Sequence, residues 1–394
     1  MKAASRASTD CNTCRRGMFP NGHLAKDRDG FHPPPTPPLL EVAFGGVDRL
    51  RRHYGAILDT LGFGPVMAPS RIIFSLAGMR LRDYGGPTTA PAFVIVAAPF
   101  KRAYIWDLAP EASVIRRLSE RGFHPFLIEW AECHEQPSFG LADYADRLPR
   151  AAIAAVARHT GARRVILAGH SLGGTLAALF AALHPRRVAA LVLLEAPMAF
   201  AQTGAFAPLV ATLPTANLSD LVALLPGSLL DLGSVTASPV SFIVTRWLDG
   251  LASAADRHAS LRHLRVERWI LDEFPMSATF LAELVDQLYR EDRFMRGTLS
   301  IAGCVANPAA LAMPVLNVMR PESLLIPGAM IQPFHEKIPS RKKRLLRYDG
   351  ESGVALRHVG VLVGRQAHRE LWPKILEWAR GSAGPSRTAA SHRG

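Results

Sequence analysis

The sequence predicts an α/β fold: a mainly parallel sheet with helices on both faces and a helical cap insertion. Two observations carry this. Short β-rich apolar runs at 71–76, 92–98, 125–130, 164–168 and 190–194 are mostly separated by stretches such as APEASVIRRLSERG and YADRLPRAAIAAVARHTG, whose apolar residues recur at spacings of three and four. Repeated strand, helix, strand makes a parallel sheet covered on both faces. After the run ending at Leu194, about 120 residues of helical pattern pass before the last two runs, 314–319 and 344–348.

Composition permits such a core. Of 394 residues, 48% are hydrophobic and 20% charged, which excludes a largely disordered chain. Cys11, Cys14, Cys133 and Cys304 are too few and too scattered for a disulfide scaffold. Cys11 and Cys14 lack a second Cys/His pair at metal spacing, so no metal site is expected.

The formal net charge of +13 raises the question of an anionic partner. Residues 1–64 hold nine Lys/Arg against six Asp/Glu, and 379–394 hold three Arg and no acid, which leaves +7 for the body. With no basic stripe interleaved with aromatics and no recognised motif, nucleic acid is not expected. The body charge could attract an anionic acyl-CoA or a carboxylate product.

The organisation read from these patterns is a disordered leader over 1–40, ending in PPPTPP; core with an N-terminal helix over 41–196; a helical cap over 197–312; core over 313–380; and a disordered tail over 381–394. The N-terminus has no apolar signal region, and no run reaches the roughly 18 apolar residues of a membrane span. A soluble, cytoplasmic protein is expected. From Pro197 to Thr245 the cap carries only Asp220 and Asp231 as acids and no base. That surface is either buried against the core or turned toward a hydrophobic substrate or apolar particle.

The motif that carries chemistry follows the run RRVILA. Gly169-His170-Ser171-Leu172-Gly173-Gly174 leads directly into the helical TLAALFAALHP, which is Gly-x-Ser-x-Gly in its strand, turn, helix context. A nucleophile at such a turn sits on strained backbone, and Gly169, Gly173 and Gly174 let strand and helix approach. Ser171 is the expected nucleophile, with the Leu172 N–H as first oxyanion donor. A second donor is expected after the run AFVIVAAP, at Phe100 or Lys101, with Phe100 preferred.

A serine hydroxyl needs a base oriented by a carboxylate, and on this fold the chain order is Ser, acid, His. His358, in RHVGVLVG beyond the last strand, is the expected base; His335, His368 and His392 are less well placed. For the acid, Glu322 follows the run PVLNVM, with Asp349 and Glu351 as alternatives and absence of an acid as a fourth reading. No metal or cofactor is required.

Together, the segment from PFKRAYIWDLAPE to FLIEW, then LADYADRLPRAAIAAV, the elbow AGHSLGGTLAALFAALHP and RHVGVLVG resemble the poly(3-hydroxyalkanoate) synthase group of the α/β-hydrolase superfamily. WILDEFPMS, with Trp269, Asp272 and Pro275, resembles that group's cap. The resemblance spans residues 65–380 and implies the α/β-hydrolase fold. Two positions depart from it. The synthases carry Cys where this chain has Ser171, and Asp where a gapless alignment places Ser323. A thiol matches acyl exchange with acyl-CoA, whereas serine suits hydrolysis through an ordinary acyl-enzyme.

The leading expectation is a serine hydrolase of an ester, thioester or polyester with a hydrophobic or hydroxyalkanoate-like acyl group. The second is a synthase-like acyltransferase using 3-hydroxyacyl-CoA. The third is a non-catalytic protein that binds a polymer granule or lipid-particle surface.

Overall fold

The computed structural model describes residues 38–131, 138–201 and 203–383. Cys11, Cys14, Cys133, the PPPTPP run up to Pro37 and His392 lie outside the described residues.

Eight strands form one sheet: β1 (Arg71–Leu76), β2 (Met79–Asp83), β3 (Ala92–Val96), β4 (His124–Trp130), β5 (Val165–His170), β6 (Val188–Leu194), β7 (Val315–Met319) and β8 (Lys343–Arg347). Their spatial order is β1-β2-β4-β3-β5-β6-β7-β8. β3 through β8 are parallel, while β1 and β2 join antiparallel at one edge. The central strands are apolar at nearly every position because helices cover both faces, and β3 and β6 are buried throughout. β2 was not foreseen. Its sequence MRLRD alternates buried and less buried side chains behind a two-residue turn at Gly78, whose φ is +85°.

Helix α1 (Pro38–Thr60) takes in the last three residues of the expected leader. It lies on the cap rather than the sheet: Asp48 accepts the Ser228 N–H, Arg51 pairs with Asp231, and Arg268 pairs with Asp59. Of the core helices, α2 (Val114–Glu120) is capped at its N-terminus by the Ser113 hydroxyl, and α3 (Leu148–Thr160) ends at Gly161 in left-handed backbone. The helix α4 (Leu172–Leu183) is buried along almost its whole length between β5 and β6.

The insert between β6 and β7 is mainly helical, as expected, with α5 (Gly227–Ala237), α6 (Thr245–Ser253) and α7 (Arg257–Ile270) as its longest pieces. It is not wholly buried. Leu221 is 66% exposed, and Leu232, Val240 and Val244 also face outward, so part of the charge-poor surface is uncovered in this chain, as are Trp247, Leu248 and Leu251 just beyond it. Among the described residues no single helix is long and apolar enough to cross a membrane. The last helix, α8 (Trp372–Ala383), returns to the sheet and packs on β6.

Candidate active site

At the end of β5 the backbone reverses at Ser171, with φ +54° and ψ −133°, and α4 begins at the next residue. A side chain rarely occupies left-handed backbone, so this strain marks a position held by its surroundings. A Cβ on Gly169 would lie 2.4 Å from the Gly173 carbonyl oxygen, and one on Gly173 would lie 2.4 Å from the Val96 carbonyl oxygen. Both contacts are with backbone, so only glycine permits the crossing. The Leu172 N–H opens α4, where first-turn donors have no intrahelical acceptor.

Gly173 touches backbone at Val96 and Ala97, three residues before Phe100. The turn holding Phe100 continues toward the cap. The Phe100 carbonyl accepts the Phe274 N–H at 3.4 Å, and Lys101 pairs with Glu273. The two segments behind the cap resemblance meet here: Trp269 donates its indole N–H to the Arg102 carbonyl, and Tyr104 donates its hydroxyl to Asp272, both at 2.8 Å.

His358 is buried on a single helical turn beyond β8, beside the elbow. Its ring packs against that of His170, the neighbour of Ser171, with centroids 4.4 Å apart. His170 also donates its Nε2–H to the His358 carbonyl at 2.9 Å, which fixes the His170 tautomer. Burial, and then the nearby His358, push His170 down to about 3, so it is a neutral support for the loop. The Nε2 of His358 is buried with no hydrogen-bond partner, Ser171 Oγ included.

The carboxylate at the far nitrogen of His358 is Glu195, not Glu322. Glu195 Oε2 lies 3.3 Å from His358 Nδ1. Glu322 is on the exposed part of the loop after β7, and no bond joins it to His358 among the described residues. Asp349 is also exposed. Glu351 accepts the Tyr348 hydroxyl and the N–H groups of Gln366 and Ala367, so its oxygens are taken up in holding the start of the following helical segment. Ser323, where the resemblance puts an acid, accepts the Ile326 N–H and a bond from Arg320 Nη2.

Glu195 is the first residue after β6 and sits at φ +42° with no solvent exposure. Because β5 and β6 are parallel neighbours, Ser171 and Glu195 emerge at the same sheet edge, where Ser171 N–H binds the Leu194 carbonyl at 3.0 Å. Burial pushes the Glu195 carboxyl up to about 7, opposed by Arg320 and then His170. Burial, and then Arg320, push His358 down to about 3. A sequence signal for Glu195 did exist: it is the only charged residue between Arg187 and Asp220, and the order Ser, acid, His is kept. The acid expected from sequence instead was Glu322 in the loop after β7, with Asp349 and Glu351 as alternatives.

The other histidines are occupied elsewhere. His335 Nδ1 accepts from the Asn317 amide, and His368 donates Nε2–H to the Leu362 carbonyl at 2.7 Å. A cavity of ≈ 50 Å³ lies at His358, lined also by Arg320, Leu325 and Leu356, with Ser241 and Thr245 from the cap. Cap and core thus meet at the histidine.

A family model described as alpha/beta hydrolase fold matches residues 110–225. The chain is 26% identical over 324 residues to the poly(3-hydroxyalkanoate) polymerase subunit PhaC of Haloferax mediterranei, covering 79% of this chain and 63% of that protein. It is 27% identical over 289 residues to the protein of that name from Haloarcula marismortui, covering 72% of this chain and 60% of that one. The chain thus spans less than two thirds of the length of these relatives. Among solved structures, the monoacylglycerol lipase of Paleococcus ferrophilus superposes with a TM-score of 0.51 at 15% identity, covering 77% of this chain and 99% of that one. The chain is therefore an α/β-hydrolase-superfamily protein whose sequence resembles the poly(3-hydroxyalkanoate) synthase group.

Proposed function

We propose that the chain is an acyl-transfer enzyme in which Ser171, His358 and Glu195 form the reacting triad, and that its principal reaction is hydrolysis. The observation that carries this reading is His358 standing beside a strained Ser171 with its Nδ1 facing a buried carboxylate. With Glu195 ionised, Nδ1 keeps its proton and Nε2 presents a lone pair. Ser171 Oγ then attacks the substrate carbonyl carbon while Nε2 takes the hydroxyl proton. The oxyanion is held by the Leu172 N–H and by a second N–H from the turn holding Phe100. Collapse expels the alcohol or thiol, which leaves with the proton from Nε2, and forms the acyl-enzyme. Water repeats the sequence and releases the acid.

The substrate class is an ester, thioester or polyester with a hydrophobic or hydroxyalkanoate-like acyl group. Similarity to the PhaC polymerase subunits supports the acyl part, and the uncovered apolar face of the cap at Trp247, Leu248 and Leu251 supports a hydrophobic substrate. The serine supports hydrolysis over polymerisation, because an alkoxide is a poorer leaving group than a thiolate in acyl exchange. A fluorophosphonate probe should label Ser171, and Ser171→Ala should abolish both labelling and turnover. Ester turnover that survives Ser171→Ala would overturn the proposal.

The same similarity favours a second reading, acyl transfer from 3-hydroxyacyl-CoA to a growing chain. Incubation with 3-hydroxybutyryl-CoA separates the two: hydrolysis releases free acid and CoA in equal amounts, whereas transfer gives polymer.

A further inference from the structure

We propose that Arg320 is a positioning residue that keeps the buried Glu195 carboxylate ionised, and through that charge selects the His358 tautomer able to accept the Ser171 proton. This rests on the triad reading above.

The geometry is specific to the site. Arg320 is the first residue after β7 and is only 7% exposed. Its Nε lies 3.9 Å from Glu195 Oε2, the oxygen that also faces His358 Nδ1. This Nε and Glu195 Oε1 are both buried without a hydrogen-bond partner. The guanidinium is held from its other side by Ser323 Oγ, at 3.2 Å from Nη2. A neutral hydroxyl anchors Arg320 without cancelling its charge, which remains available to Glu195.

The remaining titratable groups around Glu195 cannot replace it. His170, on β5, is neutral because it is buried. His358 must itself remain neutral to act as a base. Tyr348, after β8, is pushed upward by burial and by Glu351, and its hydroxyl is given to that residue. Arg320 is thus the one permanent cation beside Glu195 among the described residues.

The charge of Glu195 matters because it decides where the His358 proton sits. An ionised Glu195 can only accept, so Nδ1 carries the hydrogen and Nε2 is a base. A protonated Glu195 would donate to Nδ1, leaving the ring hydrogen on Nε2, where it blocks abstraction of the Ser171 proton. Burial favours this unproductive state, and Arg320 opposes it.

The test is the pH dependence of fluorophosphonate labelling and of ester kcat/KM in the full chain carrying Arg320→Met, Arg320→Gln or Arg320→Lys, each checked for folding by circular dichroism. Removing the cation should displace the acidic limb of both profiles upward by at least one pH unit. At pH 7 the Met and Gln variants should lose at least tenfold, with recovery toward pH 9. Lys should restore most of the rate and the original limb. Folded Met or Gln variants with an unmoved limb, or a rate lowered equally at every pH, would overturn the proposal. If neither neutral variant folds, a Lys variant with a displaced limb would also overturn it. Failure of the triad reading is separately visible, because Ser171→Ala and Glu195→Gln leave Arg320 in place and would then remain active.

Discussion

The Asp249 carboxylate in the cap accepts the Ala355 backbone N–H at 2.7 Å, three residues before His358. It also accepts the N–H groups of Gly353 and Val354, while Arg262 donates to the Gly353 carbonyl. Ala355 has a φ of +55°, which costs about 1–3 kcal/mol for a residue with a side chain. Burial opposes the Asp249 charge, but His263 and these backbone donors hold its carboxyl below the usual range. The cap therefore fixes the loop that carries His358. Asp249→Asn, unable to serve all three donors, should lower stability by about 2 kcal/mol and kcat at least tenfold, with KM nearly unchanged. Urea unfolding and steady-state kinetics check both. A variant with normal kcat would show that the loop holds its shape unaided.

The assignment of the acid makes opposite predictions for two glutamates. Glu195→Gln removes the group that orients His358 Nδ1 and should reduce kcat about 10³-fold or more, with little change in thermal midpoint. Glu322→Gln alters an exposed loop side chain and should stay within about twofold of the parent. Rate constants for ester turnover at pH 8 decide between them. Equal losses in the two variants would return the acid to the loop after β7.

Ser171 and His358 could be singled out because each has a local signature: Ser171 stands between a strand and a helix among glycines, and His358 follows the last strand. The interior sheet runs were legible for a related reason, since a strand covered on both faces is apolar at nearly every position, whereas the more exposed edge strands β1 and β8 showed only as short apolar stretches. β2, second in the sheet between β1 and β4, was not, because with Arg80 and Arg82 alternating with Met79 and Leu81 it has no such run. Glu195 was hidden differently. Its place beside His358 depends on which strand ends lie side by side, a property of sheet order that no window of sequence contains.

His368 gives a pH dependence of stability independent of the triad. It is buried and neutral, pushed down to about 4 chiefly by burial. In the unfolded chain it titrates near 6.5. Its folded pKa is depressed, so its contribution is complete above about 6.5 and is lost as pH falls toward 4, because only the unfolded chain takes the proton. His368→Gln can keep the bond to the Leu362 carbonyl without titrating. Between pH 7 and pH 5 the parent should lose about 2 kcal/mol more than the variant. Parallel losses in urea unfolding at the two pH values would exclude this role.

Glu273 ties three parts of the chain together. Its side chain is 2% exposed and pairs with Lys101, from the turn after β3, and with Arg51 of α1 at 3.0 Å, while Asp231 of the cap also takes Arg51 at 2.5 Å. Breaking one partner of a buried pair strands a charge, which costs more than the pair contributes. Glu273→Gln should therefore lower stability by about 3 kcal/mol, since Lys101 then retains only the Ile270 carbonyl and the face of Trp269. Replacing both charges, as Lys101→Met with Glu273→Leu, leaves Arg51 its second carboxylate and should recover most of the loss. A double-mutant cycle from chemical denaturation measures the coupling. Additive losses would mean that the cap is held by its apolar contacts alone, with the ion network contributing nothing to its seat on the core.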